Sequence, residues 1–599
     1  MRIAVFSCVG GGPMERLADH LRARGQDAVL VTELSAMHWR KLVAAGPRGR
    51  LRARLRAMVK FPLKAVAASL TLKDAVLVPT TNPFFVPAIL VATKAVHGRP
   101  VVPLVYDLYP DAAEASGHAT ISPLAARLAE ALNQFLFAYA DGVAFIGDRM
   151  AAHATGRYGK PRATAVLHTG ASLTEFDGST RAEDIESVCG VDVVGKTVLS
   201  YVGNLGHVHD WETLRDGLVQ LCRSDARDVA VIISASGPGV EFLKREIEPN
   251  DVVHFVSPTD DVEWRRLMVR TDIALVTLRD AAKHTSVPSK TFSAMAAGSA
   301  VIAIAPRGSD LADVVTSSDC GVLVSPGNGL HFLDAMLRLV RDSDELARLR
   351  QNARTSVAER YDLDGLAERW QTFATDIARH NRPGVGYGAL KRLFDITASA
   401  GAIALLSPLL AGTAVAVGAS MGRPVLFRQK RPGRGGVPFE LYKFRSMRAA
   451  KPDEVGPEHD AARLTRTGEL IRKLSLDELP ALFNVLAGEM SLVGPRPLLL
   501  RYLARYSRRQ ARRHEVTPGI TGQAQVNGRN AIGWDEKLEH DVWYVDNRSL
   551  LLDLKILLQT VTSVLRRSGI SQAGHATMPE FMGPASADDQ TKRNQEQGL

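Results

Sequence analysis

Aromatic residues are scarce in this 599-residue chain, at 6%. No basic stretch is interleaved with rings that could stack on bases, which argues against a nucleic-acid partner. The net charge of +10 still calls for anionic partners, such as nucleotides or phospholipids. Cysteine is scarcer. Cys8, Cys189, Cys222 and Cys320 show no CxxC spacing and no local histidine partner. That excludes a zinc site of the usual spacing and a disulfide scaffold, and it fits a reducing cytoplasm. The opening MRIAVFSCVGGGP has too short an apolar run for a signal peptide. It reads as a first strand and a glycine turn, without the full dinucleotide fingerprint.

Apolar residues make up 46% of the chain, enough for several cores. Short apolar runs alternate with helical patterns: IAVFSCV (3–9), DAVLVTEL (27–34), AVLVPTTN (75–82), VVPLVYDL (101–108) and GVAFIG (142–147). A second set follows: TVLSYVGNL (197–205), VAVIISASG (229–237), VVHFVS (252–257), DIALVTL (272–278) and AVIAIAP (300–306). The pattern predicts an α/β fold of two Rossmann-like halves, 1–180 and 181–382, with a ligand cleft at the strand ends. Charged helices are expected near 342–360 and 364–380. Residues 383–388 read as a linker.

The region 389–570 differs in character. Residues 396–421 contain no charge at all, a stretch long enough to span a bilayer. Lys391 and Arg392 precede it, and Arg423, Arg428, Lys430 and Arg431 follow it. Positive charge on both flanks places both ends in the cytoplasm. Ser407-Pro408 falls near the middle, where proline removes a helical hydrogen bond and favours a bend. A bent helix that enters and leaves on one face satisfies both observations. A plain transmembrane helix with a tolerated proline is the alternative. Residues 501–515, RYLARYSRRQARRHE, carry six arginines. They suit either a solvated helix face or contact with lipid or substrate phosphate. Residues 571–599 lack periodic apolar pattern and are expected to be disordered.

The stretch SLDELP (475–480) holds two adjacent carboxylates. A capping box from Ser475 to Glu478 would put Pro480 inside the first turns of the helix, where it clashes. A helix starting nearer Pro480 accommodates it and leaves Asp477 at a helix N-terminus, which favours the ionised form. An ionised carboxylate is a usable nucleophile toward phosphorus. Glu478 beside it adds repulsion unless a cation sits there, and Mg²⁺ takes carboxylates and phosphate oxygens together. Arg445, Arg472 and Arg496 can supply phosphate clamps.

These residues carry a resemblance. KRLFDITAS (391–399), LLSPLL (405–410), LYKFRSM (441–447), the run from Leu464 to Leu503 around SLDELP and GPRP, RRHEVTPGITGQAQVNGRN (512–530) and DVWYVDNRSLLLDLKIL (541–557) resemble the bacterial sugar transferases, small monotopic phosphoglycosyl transferases. The resemblance implies transfer of a sugar 1-phosphate from a UDP-sugar to polyprenyl phosphate, with release of UMP. It makes Asp477 the nucleophile of a covalent phosphosugar intermediate and Glu478 the Mg²⁺ ligand. Lys443, Arg472 and Arg496 match the family's active-site basic positions. Ser407-Pro408 matches its re-entrant break, within a hairpin of 391–421. The implied location is the cytoplasmic face of a bacterial inner membrane, with lipid as partner. A homodimer stays open. No four-helix transmembrane region precedes this domain, as in the family's short form.

The first 382 residues resemble a GT-B glycosyltransferase of the family-4 type, through VYDLYPD (105–111), YVGNLG (201–206), VPSKTFSAMAAGSAVIAIAPRGSDLADVV (287–315) and CGVLVSPGN (320–328). The resemblance implies a nucleotide-sugar in the cleft and addition of a second sugar to the lipid-linked product. Gly203, Asn204, His209, Ser289 and Lys290 are the donor-side candidates, with Lys290 able to neutralise a leaving diphosphate. Gly10, Gly11, Gly12 and Asp107 are the acceptor-side ones, although a glycine run is also simply a turn. Where many members carry two glutamates eight apart, this chain has Thr285 and Ser293. That departure keeps open a donor-dead scaffold as the alternative. Residues 48–66 hold seven basic residues and no acid, either an amphipathic helix on anionic lipid or a solvated basic helix.

Overall fold

The computed structural model describes residues 1–10, 13–115, 117, 122–177, 185–224, 228–256, 260–449, 463–528, 532–566 and 580–583. They form two compact units, Met1–Ala92 with Arg99–His380, and Thr93–Gly98 with Asn381–Leu599.

The first unit holds two parallel sheets. In one, β1 (Arg2–Phe6) lies between β2 (Asp27–Val31) and β3 (Ala75–Pro79). Parallel bridges Leu77–Val101 and Thr80–Leu104 extend this sheet to β4 (Leu104–Val105), β5 (Val143–Phe145) and β6 (Thr164–Val166). The other comprises β7 (Thr197–Asn204), β8 (Val229–Ser236), β9 (Val253–Val256), β10 (Ile273–Thr277), β11 (Ala300–Ile304) and β12 (Gly321–Val324). Its order is β9-β8-β7-β10-β11-β12, all parallel. The runs AVLVP, IALVT and AVIAI are buried along their whole length, as strands covered on both faces must be. The order in which successive strands are laid down reverses between β7 and β10, and ligands bind at the carboxyl ends beside such a switch. Helix α1 (Lys290–Ala297) starts at that edge.

The last helix of this unit, α2 (Leu363–Arg379), returns to the first sheet's side. Asp364 pairs with His20 at 2.9 Å and Glu368 with Arg24 at 3.2 Å. Phe373 and Ile377 press so closely on Gly142 that a Cβ there would lie 2.9 Å from each. The two halves are thus tied by the chain's own return, and the fold is GT-B: two Rossmann-like halves.

The second unit begins with α3 (Tyr387–Met421), a helix long and apolar enough to cross a membrane. The expected linker is shorter than 383–388, because Tyr387 and Gly388 are already helical and Tyr387 is buried. Pro408 lies inside α3. It leaves the Ala404 carbonyl without its usual donor. The Ser407 hydroxyl donates to that carbonyl at 2.9 Å, which explains why serine precedes proline. Residues 400–410 have no buried side chain, whereas both ends of α3 are held by the same body. Arg392 donates to the Val485 and Leu486 carbonyls at 2.6 and 2.7 Å, and Asp395 accepts from the Leu492 N–H at 3.0 Å. At the other end Val417 packs with Phe444 and Ile471.

An antiparallel hairpin follows, β13 (Leu426–Pro432) with β14 (Pro438–Phe444), then α4 (Arg466–Lys473) and α5 (Ala481–Ala487). β15 (Ser491–Val493) pairs in parallel with β16 (Gly519–Thr521), and α6 (Trp534–Asn547) and α7 (Leu550–Arg566) close the unit. Most of the expected disordered tail lies outside the described residues. Glu580–Gly583 differ from that expectation: Phe581 is buried among Tyr502, Tyr506 and Trp534.

Asp553 on α7 ties α3 to the core. Its buried carboxylate accepts from the Tyr387 hydroxyl at 2.8 Å, the Tyr544 hydroxyl at 2.7 Å and the Lys391 ammonium at 2.9 Å. Removing it strands a poorly exposed ammonium. Asp553→Ala should cost about 3–5 kcal/mol of stability, read as a lowered thermal midpoint of the detergent-solubilised chain. An unchanged midpoint would refute this account of the anchor.

Candidate active site

After α4 the backbone of Ser475 takes φ 55°, in the left-handed region, at a cost of about 1–2 kcal/mol for an L residue. This turns the chain into a single 3₁₀ turn, Leu476–Glu478. Pro480 then stands at the N-cap of α5, where it has no helical hydrogen bond to lose. Ser475 caps nothing with its side chain. The carboxylates of Asp477 and Glu478 therefore sit just before a helix N-terminus.

Lys443, near the end of β14, lies 2.7 Å from Glu478 Oε1 and 4.0 Å from Asp477 Oδ2. Arg496 donates to both oxygens of Glu478, Oε2 at 3.3 Å. Buried Asn484 on α5 positions the lysine's strand. It donates to the Glu440 carbonyl at 2.7 Å and accepts from the Tyr442 N–H at 3.1 Å. Arg496 is held from behind by Arg513, which donates to its carbonyl at 2.7 Å and pairs with Asp541 at 2.7 Å. Both partners of that pair are 2% exposed. The GPRP turn also needs its glycine, since a Cβ on Gly494 would meet the Thr517 carbonyl at 2.5 Å.

These charges split the two acids. Burial raises the Asp477 pKa and the Glu478 charge adds to it, while Lys443, Arg472 and Arg496 pull it back. Burial opposes ionisation of Glu478 too, but Arg496 and Lys443 overcome it and hold its carboxyl well below the usual range. Arg472 donates to the Ser446 hydroxyl at 2.9 Å and acts on Asp477 through its field.

Two basic candidates are placed elsewhere. Arg445 donates to the carbonyls of Met421 and Gly422, at 3.1 Å for the latter. It caps the end of α3, where the orphan carbonyls need donors, so it leaves the phosphate set. In the arginine-rich segment, Arg501 and Arg505 pair with Glu580, Arg509 with Glu539, Arg512 with Asp546 and Arg513 with Asp541. These five arginines are engaged by carboxylates of the same unit, while Arg501, Arg508 and Arg509 stay exposed.

The fit to Mg²⁺ rests on charge. Among the described residues no cluster of three His, Cys, Asp or Glu could hold a metal. Mg²⁺ needs only one or two carboxylates when phosphate and water supply the rest. Asp477 and Glu478 supply two adjacent carboxylates, with Lys443 and Arg496 already on Glu478. The residues fit.

The first unit gathers the donor-side candidates at the carboxyl ends of β7 and β10. Gly203 has φ 112°, and a Cβ there would meet nothing within 4 Å, so open space lies above it. Lys290 at the start of α1 donates to the Tyr201 hydroxyl and lies 3.4 Å from the Asn204 carbonyl. Burial pulls its pKa well down. His209 is buried and not a surface histidine, with Nδ1 2.6 Å from the Thr277 carbonyl. Burial, then the Lys290 charge, lowers its pKa to about 3, so the ring is neutral. Ser289 stands at the N-cap of α1 without capping it. Thr285 and Ser293, in place of the two glutamates, are buried.

On the acceptor side, Gly11 and Gly12 lie outside the described residues, and the Asp107 N–H donates to Thr81 Oγ1 at 3.2 Å. Burial raises its carboxyl to about 6. The sequence reading missed His153 and His284, one from each half, whose rings stack at 4.9 Å. Asp111 holds His153 at 2.8 Å. Lone histidines 131 positions apart offered no spacing signal.

A family model described as Bacterial sugar transferase matches residues 386–567. The uncharacterized sugar transferase EpsL of Bacillus subtilis is 56% identical over 194 residues, 32% of this chain and 96% of that one. The chain belongs to the bacterial sugar transferase family. As in that family, the UDP-glucose:undecaprenyl-phosphate glucose-1-phosphate transferase of Caulobacter vibrioides is similar over the same region, 42% identical across 195 residues, 31% of this chain and 72% of that one. A second family model, Glycosyl transferases group 1, matches residues 196–342. This sugar transferase is therefore fused to a glycosyltransferase region. A crystal structure of Anabaena Alr3699/HepE in complex with UDP aligns with a TM-score of 0.48 and 16% identity, covering 63% of this chain and all of that one.

Asp107 yields a pH test. Its folded pKa is raised, so between the ordinary value and about 6 the native state keeps a proton that the unfolded chain has lost. Stability therefore falls as pH rises through that window. Asp107→Asn should gain about 1–2 kcal/mol at pH 7 and nothing below pH ~4. Thermal melts at both pH values check this, and a gain of equal size at both would contradict the cause.

Proposed function

We propose that residues 386–567 transfer a sugar 1-phosphate from a UDP-sugar to polyprenyl phosphate at a membrane surface, and that the GT-B unit then adds a second sugar from a nucleotide-sugar. The observation that carries the first step is the dyad itself: a carboxylate, Asp477, beside three cations, one of them 4.0 Å away. Relatives whose names state this chemistry support the substrate class.

Asp477 Oδ attacks the phosphorus bound to the sugar. The P–O–P bond breaks, UMP leaves, and an aspartyl-phosphosugar forms. A phosphate oxygen of the polyprenyl phosphate then attacks the same phosphorus and returns Asp477 as carboxylate. Lys443 and Arg472 oppose the upward shift of the Asp477 pKa and meet the phosphate oxygens. Arg496 clamps the diphosphate while its backbone is pinned by Arg513. Glu478 orients Lys443 and Arg496 and would hold Mg²⁺. That ion, when bound, neutralises charge building on the leaving phosphate.

The lipid acceptor requires the site to lie at a bilayer. We read α3 as re-entrant: its exposed apolar middle enters the membrane, while both ends rest on the body that carries Asp477. The positive flanks agree with one-sided placement. In the GT-B unit, the amine of Lys290, whose pKa burial lowers, would be stabilised in its charged form by an anionic diphosphate, and open space over Gly203 admits a phosphate. Tethering the two activities raises the local concentration of the shared lipid product.

The test is a UDP-sugar and nucleotide-sugar screen with polyprenyl phosphate in vesicles. Asp477→Asn should lower UMP release by at least about 10³-fold. Lys290→Ala should leave UMP release intact and lower formation of the two-sugar lipid by about 10²-fold. UMP release that survives Asp477→Asn would refute the covalent step. A two-sugar lipid undiminished in Lys290→Ala, or never formed with any donor, would favour the scaffold reading of the GT-B unit.

A further inference from the structure

Residues Gly46–Leu55 and Phe61–Thr71 form one continuous helix in the first unit, joined by a π turn over Arg56–Lys60. Ala53, Ala57, Phe61, Ala65 and Ser69 recur every fourth position and are all buried. Ala57, Phe61 and Ala65 pack into the core of the first unit. Four residues overshoot an α-helical turn by ~40°, so a strict four-residue stripe would wind off the core. The wider π turn takes up part of that drift.

Apart from Phe61, the inward positions carry small residues, and large aliphatic side chains face out. Leu51, Leu55, Met58, Val59 and Leu63 are 59%, 54%, 52%, 51% and 67% exposed. A helix designed for water does the reverse. Around these side chains the charge has one sign. Between Glu33 and Asp74 there are ten Lys or Arg and no Asp or Glu. Arg48, Arg50, Arg52, Arg54 and Lys60 are exposed. Among the described residues, no carboxylate pairs with them.

We propose that this face docks on an anionic phospholipid surface, with the aliphatic side chains at the acyl boundary and the guanidinium groups on lipid phosphates. Charge complementarity selects an anionic partner. The aliphatic side chains select a bilayer over a nucleic-acid backbone, which offers them nothing and would call for stacking rings. This inference does not rest on the catalytic reading.

The full chain, with Cys189→Ser and Cys222→Ser, would carry a nitroxide on Leu55→Cys or, separately, on Met58→Cys. It is reconstituted in phosphatidylcholine vesicles with or without phosphatidylglycerol. In the anionic vesicles, access of a water-soluble nickel chelate to the label should fall about threefold while oxygen access rises. In neutral vesicles both should stay near the values in water. Arg50→Glu with Arg52→Glu and Arg54→Glu should abolish the difference, and an unchanged thermal midpoint would show that this variant folds. A label equally water-accessible in both vesicles at both positions would overturn the proposal. So would immersion that survives the charge reversal in a folded chain. If duplex DNA or RNA shields the label and anionic vesicles do not, the face reads nucleic acid and the proposal falls.

Discussion

Two carboxylates on adjacent residues repel, and burial makes the repulsion worse. The second unit resolves this at Glu478, whose charge is fixed between Lys443 and Arg496. Much of the local architecture serves that contact. Asn484 fastens β14 so that Lys443 reaches inward. The Arg513–Asp541 pair pins the backbone of Arg496. The left-handed turn at Ser475 presents both acids from one 3₁₀ turn. With Glu478 committed as an anion, Asp477 is left as the carboxylate without a bonded cation. It is the more weakly stabilised of the two and the better placed to react.

The GT-B unit meets a related problem with the opposite sign. The Lys290 amine lies over the ring of Tyr201, 3.8 Å from its centre. Among the described residues it has no carboxylate partner, and burial depresses its pKa. A buried cation without a counter-ion is unfavourable until an anion arrives. In the GT-B unit an anionic substrate would supply the counter-charge that Lys290 lacks.

Much of this was legible in the sequence where residues near in the chain act together. SLDELP and GPRP are contiguous motifs, and the Ser-Pro of α3 marked where a helical hydrogen bond is lost, though not the serine bond that replaces it. Short continuous apolar runs marked both sheets. The failures share one cause, which is that spacing does not reveal partners. Arg445 looked like a phosphate clamp and instead caps α3, because the fold brings the end of that helix beside β14. The six arginines of 501–515 looked like a basic face. Glu539, Asp541 and Asp546 lie about 30 positions later, and only the packing of α6 delivers them.

The sequence by itself determined the two Rossmann-like halves, the uncharged helix and the adjacent acids, because periodicity, charge and proline act over a few residues. Only the tertiary structure decided which cations meet those acids. It also showed that His209 is buried and neutral, and that the basic helix turns its small residues inward. Each of these is a matter of burial and of contacts between distant segments, and burial sets both the cost of a charge and the partner that offsets it.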